Sequence, residues 1–176
     1  MSTERHPAEL HRNALREAVA ALDEAEAGGE PARLSQAFAH VSRCHRAAGA
    51  LAEADWYAKR GLQVARGLGA VDASVDALCE VAELACERAE RLAAQDESRA
   101  ARRLGESARD HAFEAARLAQ RAADPQWEIT VLLRVSDLLD RLGDHTDAIA
   151  FQCRAVSLMC GAGAASTPAV PGAARV

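Results

Sequence analysis

His40, Cys44 and His45 are the residues whose types and spacing come nearest to metal chemistry, because His40 and Cys44 stand four apart and share one face of a helix. A third ligand is missing, since His45 points about a third of a turn away from them. Core and surface roles account for all three, so neither a metal nor a cofactor is expected. Catalysis has little else to stand on: there is no glycine-rich phosphate loop and no G-x-S-x-G segment. Most carboxylates keep company with arginines, the pattern of a solvated, salt-bridged helix face. The chain is therefore expected not to be an enzyme. One charge pattern is sharper than the rest. Asp76, Glu80, Glu83, Glu87 and Glu90 follow i, i+4, i+7, i+11, i+14 and fall within an arc of about 80° on a helix. Such an acidic stripe either pairs with arginines on adjoining helices or meets a basic or amphipathic partner segment.

The elements that must carry these residues are helices. A hydrophobic fraction of 49% with only 3% aromatics describes packed, alanine- and leucine-rich helices rather than sheets. The 176 residues suffice for one domain with a shared core. A net charge of -5, with Arg and Glu interleaved, excludes a nucleic-acid binder, which needs clustered cations. The first six residues lead directly into a charged segment over 9–26, so no secretory signal is expected. No stretch approaches the roughly 20 apolar residues of a membrane span, and a cytoplasmic setting is expected. Cys44, Cys79, Cys86, Cys153 and Cys160 all fall in helical segments. The i, i+7 pairs Cys79/Cys86 and Cys153/Cys160 are too far apart to bridge within a helix, and all five are expected as reduced, small core residues.

Glycine and proline divide the chain. Pro7 suits a first helical turn, and Leu15, Val19 and Leu22 keep helical spacing until Gly28 and Gly29. Further helices are expected over 31–48, 52–66, 72–92, from about 98 to 122, 125–142 and 146–160. Asp72 is the expected cap of the fourth, and Asp124, before Pro125, of the sixth. The divisions that follow are a capping helix over 1–30, three hairpins over 31–160 and a disordered tail over 161–176, rich in Gly, Ala, Pro and Ser.

The hairpins repeat. Phe38, Val41, Ser42, His45, Gly49, Ala54, Ala58, Gly61 and Val64 are matched at identical intervals by Leu132, Val135, Ser136, Leu139, Gly143, Ala148, Gln152, Ala155 and Leu158. This resembles the tetratricopeptide repeat, in which large residues of a first helix enter a notch made by small residues of a second. The middle hairpin reproduces both halves, with Val75, Leu78, Cys79 and Ala82 in one and Ala108, Ala112, Ala115 and Leu118 in the other. Its halves lie about half a repeat further apart, so its helices must be longer, and 83–103 is expected as a projecting tip. The resemblance implies an all-α, right-handed solenoid of about seven helices whose first helices line a concave groove. That groove would hold Asp76, Glu80, Glu83 and Glu87, with Arg43 and Arg46 on one neighbouring helix and Arg134, Asp137, Asp140 and Arg141 on the other. A protein- or peptide-binding adaptor or scaffold, or a small client-specific chaperone, follows as the leading expectation. The chaperone-tail clamp of some members needs groove asparagines, and the only asparagine is Asn13. Trp56 and Tyr57 would lie on a second helix, where one faces the core and the other offers a contact to a partner or a second copy.

Two rivals stand beside that expectation. The stretch 39–49 is similar to the helix of histidine phosphotransfer domains, where an exposed histidine precedes a basic and a small residue by one turn. A phosphotransfer or metal-dependent signalling domain centred on His40 is therefore the first rival. A self-associating structural module, a homo-oligomer, is the second.

Overall fold

The computed structural model describes residues 7–165, all of them in helices or the turns between helices. Seven helices follow one another: α1 (Pro7–Gly28), α2 (Pro31–Ala47), α3 (Leu51–Leu68), α4 (Val71–Ala94), α5 (Ser98–Arg121), α6 (Pro125–Arg141) and α7 (His145–Ala165). Each packs against the next through a short turn, which makes an all-α stack of helical hairpins. Beyond these sequential neighbours, α2 touches α4 and α4 touches α6. The three first helices of the hairpins therefore lie side by side and share one face.

The turns share one device. Every connection contains a residue with positive φ: Gly29, Gly49, Gly69, Asp96, Ala123 and Gly143. Four are glycines, which take the left-handed conformation without steric cost. Asp96 at φ 62° and Ala123 at φ 56° pay for it in backbone strain. Asp124 caps α6, its Oδ1 accepting from the amides of Gln126 and Trp127 at 3.0 and 3.1 Å. Asp72 does not cap α4. That helix starts one residue before it, with Ala70 at the cap position and no side-chain bond, which leaves Asp72 inside the first turn where its charge suits the helix dipole.

Small residues set the close contacts. Ala54, Ala58 and Gly61 on α3 and Ala148 and Ala155 on α7 are buried where the matched intervals put them. A Cβ on Gly61 would come within 3.2 Å of the Phe38 Cβ, so the notch of the first hairpin is as tight as alanine-sized packing allows. Ser42 and Ser136 are both buried but do different work: Ser42 donates across the hairpin to the Ala54 carbonyl at 2.9 Å, whereas Ser136 bonds to Leu133 on its own helix. Two core clusters result. A smaller one joins α1 and α2, with Tyr57 and Val64 of α3 against it; a larger one runs from α3 to α7.

Two expected boundaries shift. The middle hairpin has 24-residue helices, against 17 and 18 in the first. Residues 83–91 nevertheless do not project: Glu83 and Glu87 pair with Arg46, Glu90 pairs with Arg141, and Arg91 donates to the Gly49 carbonyl. Helix α7 continues past Cys160 to Ala165, because the Gly-Ala-Gly-Ala-Ala stretch holds enough alanine to extend existing helical bonding one residue at a time. The part of the expected tail over 166–176 lies outside the described residues.

Candidate functional site

The acidic stripe on α4 faces its two neighbours, and most of it is spoken for. Glu83 lies between two helices, its Oε2 accepting from Arg46 of α2 at 2.7 Å and its Oε1 from Arg134 of α6 at 2.5 Å. Arg46 also donates to Glu87 at 2.9 Å, and Arg141 forks onto both oxygens of Glu90 at 3.1 and 3.0 Å. The result is a ladder of ion pairs lacing α2, α4 and α6 together. Burial pushes the Glu83 carboxyl upward, but the hydrogen bonds from Arg134 and Arg46 outweigh it and hold the group below the usual glutamate range.

Toward the N-terminal end of α4 the ladder stops and a cleft of about 510 Å³ opens. Its walls are small and apolar at Ala39, Ala73 and Ala77, and its charged groups are Arg43, Asp72, Asp76, Glu80 and Arg134. Glu80 differs from the rest of the stripe. It is only 5% exposed, its nearest cation is Arg134 at 3.8 Å, and its Oε1 has no hydrogen-bond partner. Burial, and then the charge of Glu83, push the Glu80 carboxyl up from its ordinary value. Asp76 keeps solvent access at the cleft, yet the surrounding walls and then Asp72 raise its carboxyl as well.

The remaining candidate residues are scattered. On α6, Asp137 is exposed, and Asp140 is engaged with His145 at 2.6 Å. His40 is exposed, Cys44 buried, and His45 half-buried rather than in the core; its ring stacks on Tyr57 at 5.2 Å. Among the described residues, no group of three or more His, Cys, Asp or Glu side chains could hold a metal ion. Of the adjacent aromatics, Tyr57 faces the smaller core while Trp56 is 55% exposed under the guanidinium of Arg60. Cys44, Cys79 and Cys86 are buried as expected, and desolvation pushes the Cys79 and Cys86 thiols up to about 11, which keeps them protonated and unreactive. Cys153 and Cys160 are not core residues. They stand exposed because α7 is the outermost described helix and packs mainly against α6.

Charge clusters on other faces are invisible to a search along single helices. Asp55, 9% exposed on α3, accepts from Arg88 of α4 and Lys59; buried Glu128 of α6 accepts from Arg154 of α7 at 2.7 Å. A second open cleft of about 480 Å³ lies between α5 and α7, where the Phe113 and Phe151 rings approach to 5.5 Å. Apart from Lys59, which stands one turn from Asp55, the partner of each such residue is on another helix, and the longest carboxylate periodicity in the sequence is that of α4.

No protein-family model matches the chain, and no curated protein matches it in sequence. Solved structures similar to it include one described as "DHF58 filament", 24% identical over 89% of this chain and 83% of that one, at a TM-score of 0.44. The de novo designed helical repeat protein DHR64 is 24% identical over 88% of this chain and 81% of its own, at 0.43. BtubC (BKLC) from P. vanneervenii is 15% identical over 84% of this chain and 71% of its own, at 0.32.

Proposed function

We propose that the chain is a non-catalytic protein- or peptide-binding scaffold whose binding surface is the face shared by α2, α4 and α6, as in the tetratricopeptide repeat it resembles. The observation that carries this reading is the open charged cleft where the ion-pair ladder ends. Elsewhere the face is closed by Arg46 and Arg141, with Arg134 at the boundary, so the cleft is where it offers unsaturated polar groups beside small apolar walls. Among the described residues no helix is long and apolar enough to cross a membrane, and a cytoplasmic setting is part of the proposal. The test is site-directed photocrosslinking with a benzoyl-phenylalanine probe at Arg43 or Asp137, on the proposed face, and at Gln63 on α3 as a control. Discrete adducts from the first two positions and none from the third support the scaffold. Equal labelling at all three sinks it.

A second reading, self-association, is favoured by α7. Ile149 at 58%, Val156 at 55% and Met159 at 45% exposure lie with Cys153 and Cys160 along its outer surface, while α1 at the other end is charged on its exposed side. A head-to-tail contact between such unlike ends is poorly matched, so a symmetric pairing of α7 with α7 of a second copy is the arrangement that buries this stripe. Sedimentation velocity should show a dimer that Ile149→Glu with Val156→Glu converts to monomer at unchanged helicity. A monomeric parent chain at high micromolar concentration removes this reading.

A further inference from the structure

Glu80 presents an unusual combination. A carboxylate 5% exposed is costly unless its lone pairs are filled, and Oε1 of Glu80 is filled by nothing. Of the neighbouring cations, Arg134 donates to Glu83 at 2.5 Å and reaches Glu80 only at 3.8 Å, Arg46 is bonded to Glu83 and Glu87, and Arg43, which also lines the cleft, acts on Glu80 through its charge without a hydrogen bond. Oε1 is itself buried, but the side chain lines an open cleft, so a turn of the carboxylate is what would bring it to a donor.

The shape and chemistry of that route select the donor. Ala39, Ala73 and Ala77 make a small-residue apolar wall along which a methylene stem can lie, with Asp76 also lining the cleft. A guanidinium presents its donors in a rigid fork matched to the two oxygens of one carboxylate, whereas here two carboxylates, Glu80 and Asp76, line the cleft one helical turn apart. Neither oxygen of Glu80 is hydrogen-bonded, Arg134 standing 3.8 Å away, and a compact ammonium with three rotatable donors suits two separate acceptors. Rotation about the broad terminal torsion of glutamate would turn Oε1 toward an incoming group.

We propose that the cleft between α2, α4 and α6 is a lysine site, in which a partner protein or peptide lays one lysine stem along the alanines and seats its ammonium on Glu80, with Asp76 as the second anion. The lysine must come from another molecule. The chain's only lysine, Lys59, is on α3, paired with Asp55 at 2.8 Å. The inference rests on the scaffold reading above but specifies more, and its failure is separable from the failure of that reading.

The test is a titration of the full, isotope-labelled chain with N-acetyl-Gly-Lys-Gly-amide, followed by amide chemical shifts at low salt. Two companion peptides carry Nε-acetyl-lysine or arginine in place of lysine. The expected result is shifts clustered at residues 39–43, 73–80 and 134, at least about tenfold weaker binding by the arginine peptide, and none by the acetylated one. Glu80→Gln, which keeps the shape and removes the charge, should weaken lysine binding at least about tenfold, the loss of one charge-assisted hydrogen bond. Ala73→Leu, which narrows the cleft and leaves Glu80 in place, should do the same. Binding that survives both variants, or that the acetylated peptide shares, overturns the lysine site. Shifts confined to other parts of the α2/α4/α6 face overturn it too, while leaving the photocrosslinking result, which requires no lysine, to decide the scaffold.

Discussion

Gly61 and Gly67 lie on the same helix and show how differently one residue type behaves in two settings. At Gly61 an added methyl would meet the Cβ of Phe38 at 3.2 Å, and that atom is fixed to the α2 backbone and cannot swing aside. At Gly67 nothing lies within 4 Å. Alanine gains roughly 1 kcal/mol over glycine inside a helix, whereas overpacking costs about 1–3 kcal/mol. Gly61→Ala is therefore expected to lower the melting temperature and Gly67→Ala to raise it. Denaturant unfolding of the two variants side by side checks both signs. Ala123 is the mirror case. Its φ of 56° strains a residue that has a Cβ, so Ala123→Gly should stabilise by about 1 kcal/mol, offset in part by a more flexible unfolded chain. Thermal unfolding that shows no gain would mean that the turn has relaxed out of the left-handed region.

The helices are held in register by charges as well as by alanines, and the two central glutamates of α4 act in opposite senses. Glu83 bonds Arg46 on α2 and Arg134 on α6, and its carboxyl sits below its ordinary value. Its contribution is present above the unfolded glutamate range and is lost as pH falls through the lowered folded value. Glu80, pushed up by burial and by Glu83, has the reverse sign: the fold holds its proton more tightly than the unfolded chain, so its charge destabilises at neutral pH and relief comes on acidification. Glu83→Gln should therefore cost about 1–3 kcal/mol at pH 7, a loss that shrinks as pH drops below the glutamate range. Glu80→Gln should leave stability unchanged or higher at pH 7. Chemical denaturation of both variants at pH 7 and pH 4 separates them, and equal losses at pH 7 would contradict the unequal pairing seen here.

At the scale of the whole molecule the stack has two cores, and α3 belongs to both. Ala54, Ala58 and Leu62 face the larger core, and Tyr57 and Val64 face the smaller one. Among the described residues helix α1 packs against α2 alone, through Ala18, Leu22 and Ala25. Stability in such a chain is close to a sum of neighbour interfaces, so opening should begin where an element has one interface and few large side chains. Native-state hydrogen exchange is expected to show α1 exchanging through a low-energy opening, and the middle of α4 and α6 only through global unfolding. Uniform protection from α1 to α6 would show a single cooperative unit instead.

Helix number, most turns and the hairpin notch were legible in the sequence because they are local. A period of 3.6 residues, a glycine at Gly49 or Gly143, and alanines at Ala54 and Ala148 mark their own places within a few turns of chain. The stripe from Asp76 to Glu90 was legible for the same reason, but what it meets was not. Glu83 finds Arg46 and Arg134 at separations of 37 and 51 residues, which only the stacking of α2, α4 and α6 brings together. The same holds for Glu80, whose neighbours in sequence resemble those of Glu83 and whose unpartnered oxygen arises from where two arginines happen to be committed. Exposure of Cys153 and Cys160, left-handed Asp96 and Ala123, and the run of α7 to Ala165 were likewise decided in three dimensions. Residue type reports what a side chain can do; packing across hairpins determines which groups it has left to do it with.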